Sequence, residues 1–286
     1  MGYLRIMSRL FAQHWADYEL IDAGGDRKLE RWGDIVTIRP DRNAYFAPIL
    51  SKSEWQKKAH FEFVEETKSK GEWKVLKGDG NPEWTINYND VKLHLHLTKF
   101  KHVGVFPEQQ ANWEYIENHV QEGDRILNLF GYTGAASVVA RAKGADVFHV
   151  DSVKQVISWG RENMESSGLA DIHWVLEDAL KFAQREVKRG HRYDGIIMDP
   201  PAFGIGAKKE RWKIENKFPE LLETALQLKN DDGFVIANTY SPRLEAPEIM
   251  KICKEKCNSD SIQVDTLSLK TSTKKILEYG QRTLIQ

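Results

Sequence analysis

The chain has 286 residues, is 41% hydrophobic and 29% charged, and carries 41 Lys plus Arg against 42 Asp plus Glu. That is a soluble globular composition with a proper core, long enough for one large domain and a smaller one. A net charge of −1 neither demands nor excludes a nucleic-acid partner. The two cysteines, Cys253 and Cys257, cannot complete a zinc site and read as unpaired thiols of a reducing, cytoplasmic compartment. No apolar run long enough to span a bilayer is present, so no membrane partner is expected.

Residues 1–100 read as a small β-rich domain, with strands expected over 17–22, 34–39, 61–64, 72–76, 84–88 and 91–98. Asn89-Asp90 gives a hairpin signal between the last two, and a short helix is expected over 51–58. Substrate positioning and a packing or dimerisation role are both open for this domain. His94 and His96 alternate outward on one strand and His102 follows it. The three are expected to be solvated, with no metal bound.

Residues 101–286 read as a second, α/β domain. A helix over 110–120 places Trp113, Ile116 and Val120 on one face. The stretch from Gly123 to Asp151 then organises the chain. A buried strand over 125–130 runs into a turn bracketed by Gly131 and Gly134, a helix over 135–143 stops at Gly144, and a second strand ends on Asp151. A turn free of bulky side chains lets a ligand reach the backbone, and the helix N-terminus suits a carboxylate or phosphate. Asp151 lies 20 residues beyond Gly131, about the spacing for a carboxylate that takes both hydroxyls of a ribose. An ordinary β-α-β unit remains open. A dinucleotide fingerprint fits worse, because glycines are missing where Thr133 and Ala136 stand.

Alternation continues with a helix bearing Val153, Val156, Ile157 and Met164, a strand over 173–176 before Glu177-Asp178, and a helix over 179–188. A strand over 193–198 ends in Asp199-Pro200-Pro201-Ala202-Phe203. A helix over 216–228, a strand over 234–238, a helix over 246–256 and strands over 263–269 and 282–285 close the chain. The sum is a doubly wound, mostly parallel sheet of seven strands, with ligands at the strands' carboxyl ends. Asp151, Asp178 and Asp199 share that rim. Two consecutive prolines hold the backbone before them extended and can aim the Asp199 carboxylate at a substrate. Phe203 reads either as a stacking platform or as a core residue. Residues 204–217 hold Lys208, Lys209, Arg211, Lys213 and Lys217 around Trp212, either a phosphate-following loop or a solvated face.

Asn128-Leu-Phe-Gly-Tyr-Thr-Gly134, His149-Val-Asp151, Glu177-Asp178 and Asp199-Pro-Pro-Ala-Phe203 together resemble the class I S-adenosylmethionine-dependent methyltransferases. The similarity is to the bacterial branch related to large-subunit ribosomal RNA methyltransferases. It covers roughly residues 100–286, and Gly104-Val-Phe-Pro-Glu-Gln109 resembles the segment that helps enclose the cofactor in that family. The resemblance implies a Rossmann-like methyltransferase sheet, S-adenosylmethionine as cofactor and RNA, ribosomal first, as partner. It implies that Phe130, Gly131, Tyr132, Thr133 and Gly134 receive the methionine part. Asp151 with Ser152 would take the ribose, and Asp178 with Ala179 the adenine. It further implies that Asp199, which also borders the cofactor, positions the acceptor with the Pro200 carbonyl and Phe203, and that Phe203, Lys208, Lys209 and Arg211 meet the substrate. Cytosine-C5 relatives need a cysteine nucleophile, and this chain has Asn238-Thr-Tyr-Ser-Pro242 after the next strand instead. Amine-methylating relatives often carry the aromatic directly after Pro-Pro, where this chain has Ala202 and places Phe203 one later. The acceptor atom therefore stays open, with a base nitrogen favoured over carbon. Two competing readings remain: a methyltransferase acting on a small molecule or protein, and a non-catalytic RNA-binding assembly factor retaining the fold.

Overall fold

The computed structural model describes residues 8–12, 15–67, 70–205, 211–257, 259 and 261–286. They form two compact units. One holds the described residues up to Leu10 with Ala111–Leu267 and Tyr279–Gln286, the other Phe11–Gln110 with Ser268–Glu278.

The first element among the described residues is a short strand β1 (Arg9–Phe11). The second unit then builds β2 (Tyr18–Gly24), β3 (Arg27–Trp32), β4 (Ile35–Pro40), helix α1 (Lys52–Lys58), β5 (Phe61–Glu65) and β6 (Gly71–Val75). These five strands form one sheet in the order β2-β3-β4-β5-β6, antiparallel except where α1 carries the chain from β4 to a parallel β5. Ser51 caps α1 in a reciprocal capping box with Glu54, and Trp55 turns inward onto Leu29, Val36 and Ile38. Strands β7 (Glu83–Tyr88) and β8 (Val91–His96) make a separate hairpin whose turn places Asn89 at φ 50°.

Strand β3 escapes the sequence reading because Arg-Lys-Leu-Glu-Arg-Trp shows no apolar alternation. Lys28 and Glu30 are nevertheless buried in it, as ions. Lys28 pairs with Glu30 at 3.2 Å and Asp41 at 3.1 Å, and Arg39 pairs with Glu30.

The first unit contains α2 (Gln110–His119), β9 (Arg125–Leu129), α3 (Ala135–Ala142), β10 (Asp146–Asp151), α4 (Lys154–Ser166), β11 (Ile172–Leu176) and α5 (Ala179–Lys188). It continues with β12 (Tyr193–Met198), β13 (Phe203–Ile205), β14 (Arg211–Lys213), α6 (Ile214–Leu228), β15 (Lys229–Thr239), α7 (Ala246–Lys256) and most of β16 (Ile262–Lys270) and β17 (Ile276–Ile285), whose facing ends fall in the second unit. The central sheet runs β1-β16-β17-β15-β12-β9-β10-β11. It is the expected seven-stranded, mostly parallel sheet with β1 added at its edge. Strands β15, β12, β9, β10 and β11 are parallel, and β17 is antiparallel to β15. Phe182 of α5, Phe218, Leu221 and Leu222 of α6 and Ile249 of α7 pack on Leu127, Leu129, Ile196, Met198 and Val235. Each such side chain contributes about 1.5–3 kcal/mol of burial.

Two elements differ from expectation. β15 begins at Lys229 instead of 234, because Lys229 already pairs with Tyr193 of β12, and the turn-like Asn230-Asp-Asp-Gly233 bulges out before the register resumes at Phe234 opposite Gly195. Asn230 Nδ2 donates to Asp194 Oδ1 at 2.6 Å, and Lys229 Nζ donates to three nearby carbonyls. Residues expected as a loop after Phe203 form the antiparallel pair β13–β14, with Trp212 Nε1 donating to the Pro201 carbonyl at 2.7 Å.

Candidate active site

Chain order along the sheet reverses at β9. Its neighbours are β10 on one side and β12 on the other, and the crevice of such a sheet opens at the carboxyl ends of these strands. The turn after β9 sits there. Phe130 and Tyr132 both adopt left-handed backbone, φ 58° and 51°, and Gly134 follows at 78°. Two non-glycine residues in that region cost about 1–3 kcal/mol each and persist only where surrounding structure fixes them.

That fixing is visible. Gly131 N–H donates to the Val150 carbonyl at 3.1 Å, and Tyr132 N–H donates to Asp151 Oδ2 at 3.0 Å. A Cβ on Gly131 would fall 2.3 Å from His149 Cε1, so only glycine fits over the imidazole. His149 is fully buried, and its Nδ1 lies 2.9 Å from Ser137 Oγ, which accepts from Asn128 Nδ2 at 2.8 Å. Burial pushes this histidine down to about 3, so the ring is neutral. On the other side of the turn, Asn163 Nδ2 of α4 donates to the Thr133 carbonyl at 2.8 Å. Gly160, one turn earlier, leaves room for Trp174. Gly134 is the N-cap of α3 and supplies no side-chain cap, so the first-turn N–H groups of that helix are left to solvent or ligand.

The acidic residues share the rim. Asp151 ends β10 and accepts from Tyr132 N–H through Oδ2 and from Val153 N–H through Oδ1 at 2.9 Å. Burial raises its carboxyl above the usual range, and the N–H bonds only partly offset that. A carboxylate has about four lone-pair sites, and the N–H groups of Tyr132, Val153 and Ser152 do not use all of them. Asp178 caps α5 by accepting Lys181 N–H through Oδ1 at 2.9 Å. Glu177 forms an ion pair with Arg185, its Oε1 at 2.7 Å from the guanidinium, so it belongs to the frame. Asp199 follows β12, half-buried, its N–H donating to the Leu129 carbonyl at 3.2 Å. Pro200 is buried, and Phe203 is 55% exposed on β13, so it is no core residue. Ser152 is exposed beside Asp151, and Ala179 is buried as the first residue of α5. Arg211 lies exposed on β14, while Lys208 and Lys209 lie outside the described residues. Trp212 stacks at a tilt on Phe130, ring centres 5.2 Å apart, which ties the hairpin to the glycine turn.

Sequence reasoning missed two groups. Val153 and Leu176 are large apolar side chains left 44% and 56% exposed at the strand ends. Leu176 is the register partner of Asp151, and Val153 donates its N–H to that same carboxylate. Their position one or two residues from the acidic ones was the available signal. The second group is Asn238 at the end of β15, which accepts from Asn112 Nδ2 at 3.0 Å in the interior. Its polarity inside an apolar strand was the signal there.

Residues 47–243 match a protein family described as S-adenosylmethionine-dependent methyltransferase. The chain belongs to this family. Its cofactor is accordingly S-adenosylmethionine, and an open glycine turn beside a strand-end carboxylate and two exposed apolar side chains fits that molecule. A solved SAM-dependent methyltransferase from Agrobacterium tumefaciens is 32% identical, with a TM-score of 0.92, covering 99% of this chain and 94% of that one. The ribosomal RNA large subunit methyltransferase K of Neisseria meningitidis is 28% identical over 162 residues, 55% of this chain and 46% of its own length. The ribosomal RNA large subunit methyltransferase I of Photobacterium profundum is 29% identical over 171 residues, 58% of this chain and 42% of that one. The chain thus spans between about a fifth and a half of the length of the curated relatives it matches. Among the described residues, no helix is long and apolar enough to cross a membrane.

Proposed function

We propose that this methyltransferase modifies RNA, ribosomal RNA first, at a base nitrogen. The observation that carries the proposal is the placement of Asp151, Asp178 and Asp199 on one rim at the switch point of a methyltransferase sheet. The names of the relatives supply the RNA.

S-adenosylmethionine supplies an electrophilic methyl group on a sulfonium. The chain's part is to hold and aim. The turn from Phe130 to Gly134 and the open end of α3 take the methionine carboxylate. Asp151, with Ser152 beside it, accepts the ribose hydroxyls. Asp178, with one oxygen spent on α5, offers the other to the adenine amino group. Val153 and Leu176 cover the ring from their exposed positions beside these acids. Asp199 and the Pro200 carbonyl receive the acceptor amine, held extended by the two prolines, and Phe203 stacks on the base. Lys208, Lys209 and Arg211 follow the phosphates. Alignment of acceptor and methyl then provides most of the acceleration.

The cysteines support nitrogen over cytosine C5. Burial pushes the Cys253 thiol up to about 12, and it sits on α7 among Ile249 and Ile252, so it offers no thiolate nucleophile. The N-terminal β-rich part, expected over residues 1–100, serves to position the substrate.

The test is transfer of labelled methyl to RNA from a strain lacking the protein, beside protein and metabolite fractions. Asp151→Ala should weaken cofactor binding roughly 10- to 150-fold, the worth of hydrogen bonds to a charged group. Asp199→Ala should bind cofactor normally and lose about a hundred-fold in transfer, as misaligned reactants do. Equal loss of cofactor affinity in both variants would contradict the division of roles. Label only in metabolites or protein would remove the RNA, and cofactor binding without label anywhere would remove the activity.

A further inference from the structure

In the unit formed by Phe11–Gln110 and Ser268–Glu278, one buried carboxylate gathers three separate segments. Asp22, fully buried on β2, accepts N–H from Ile49 at 3.1 Å and Leu50 at 2.8 Å, at the end of the segment that joins β4 to α1. It accepts the Trp55 indole N–H of α1 at 3.0 Å and the Thr273 hydroxyl at 2.8 Å, from the turn between β16 and β17. The β4–α1 segment is pinned a second time, by the tip of the β2–β3 hairpin. Gly25 N–H donates to the Phe46 carbonyl at 2.8 Å and Asp26 N–H to the Ala44 carbonyl at 2.9 Å. A Cβ on Gly24 would fall 2.1 Å from Pro48 N, so the two backbones touch.

This double anchoring holds an aromatic outward. The carbonyls on either side of Tyr45 are tied down, and its own side chain is 84% exposed. Phe46 stands beside it, ring centres 5.9 Å apart, and Lys275 places its ammonium 5.4 Å from the Phe46 ring. Ile49 is exposed next to them. Residues 42–58 and 268–278 carry seven basic side chains against two acidic ones, in a chain whose net charge is −1.

We infer that Tyr45 and Phe46, with Arg42, Ile49, Lys274 and Lys275 around them, form a docking surface for a single-stranded segment of RNA. The inference rests on the RNA reading above and deepens it by naming where the chain grips RNA outside the methyl-transfer site. A solvent-facing ring on a tied-down backbone, with a cation beside its neighbour, suits an unstacked base and its phosphate, and the backbone beneath it needs no further ordering. Duplex RNA keeps its base faces covered, so the surface selects single strands. Three apolar side chains fall well short of the roughly 800 Å² that a stable protein interface buries on each partner.

The test is fluorescence anisotropy with a labelled single-stranded oligouridylate, beside methyl transfer to RNA by the same preparations. Tyr45→Ala should weaken binding roughly five- to hundred-fold, the worth of one stacked base, and Tyr45→Phe should bind as the unaltered protein does. Lys274→Ala with Lys275→Ala should lower the salt dependence of log affinity by about 0.7 for each phosphate no longer neutralised. Tyr45 is exposed, so unchanged thermal unfolding is expected for its variants. Unchanged affinity in Tyr45→Ala, while the unaltered protein labels RNA, overturns this surface and leaves the RNA reading standing. No binding and no label on RNA overturns that reading and takes this surface with it. Binding that moves from RNA to phosphatidylglycerol vesicles and still depends on Tyr45 also overturns the inference.

Discussion

Beneath the glycine turn the buried polar groups are neutral. Asn128, Ser137 and His149 form one hydrogen-bonded chain, and Asn163 holds the Thr133 carbonyl. In the sheet of β2, β3 and β4 they are ions. Glu30 has no exposed surface, and Arg39, Lys28 and the Tyr18 hydroxyl all converge on it. Burial pushes its carboxyl up, but Arg39, Lys28 and the hydrogen bonds outweigh that and hold it below the ordinary range. Within the methyltransferase unit, Glu177 of the rim is tied to Arg185, and other ion pairs join residues elsewhere. Arg282 meets Asp265 on β17 and β16, and Glu186 takes Arg189, His191 and Tyr193 near the start of β12. Under the proposed roles, a rim that binds a sulfonium cofactor and presents carboxylates to neutral hydroxyls and amines gains nothing from a competing fixed cation. Asp151 and Asp178 instead accept from backbone N–H groups, which position a carboxylate and leave its charge uncancelled.

The largest expected effect breaks the ionic region. Glu30→Gln leaves Arg39 and Lys28 buried against a neutral amide, and removing one member of such a group costs about 3–5 kcal/mol. Urea unfolding of the full chain measures it. A loss below about 1 kcal/mol, the level of an exposed pair, would mean that the Glu30 cluster is wetter than its burial implies.

How far each region could be read from sequence follows the same division. The strand–turn–helix from Arg125 to Ala142 announced itself, because apolar periodicity and glycine spacing are backbone demands that composition records directly. Asp151, Asp178 and Asp199 were legible as strand ends for the same reason. Strand β3 was not, since a lysine and a glutamate that neutralise each other in the interior look like surface until their partners are known. The β13–β14 pair was hidden for a related reason. Its positions are held by Trp212 donating to the Pro201 carbonyl, a bond between residues 11 apart that no local pattern encodes. Val153 and Leu176 read as ordinary packing residues, and only their exposure beside acidic groups marks them.

A smaller effect tests the neutral region. Gly131→Ala drives a methyl group into the buried His149 ring, and overpacking of this kind costs about 1–3 kcal/mol. The turn relieves the clash by moving the Tyr132 N–H off Asp151, so the loss should fall on the cofactor. Calorimetric titration with S-adenosylmethionine should show an affinity loss of roughly 5- to 150-fold, while urea unfolding moves little. The reverse distribution, stability lost and affinity kept, would show that the turn is held by the fold and not poised for the ligand.

The smallest effect separates the two regions by pH. Burial holds His149 at about 3 in the folded protein, whereas an unfolded histidine takes up its proton near 6.5. Between those values the unfolded chain binds a proton that the folded chain refuses, so stability rises with pH across the window and is lost as pH falls from about 6.5. His102, which belongs to the other unit and is also driven to about 3 by burial, adds a second proton of the same sign, so only the His149 variant isolates the turn. Glu30 behaves differently. Its folded carboxyl lies below the ordinary range, so its contribution is complete above the unfolded value and is lost only at lower pH, as the folded group protonates. Unfolding measured between pH 7 and 5 therefore leaves Glu30 nearly silent and carries the histidines, with Asp151, whose carboxyl burial raises, acting in the opposite sense. His149→Gln, which can still reach Ser137, should flatten that slope by up to about 1.4 kcal/mol per pH unit and leave the more acidic limb in place. A slope unchanged by His149→Gln would mean that the ring takes up its proton in the folded state, and the interior beneath the turn would then carry a charge after all.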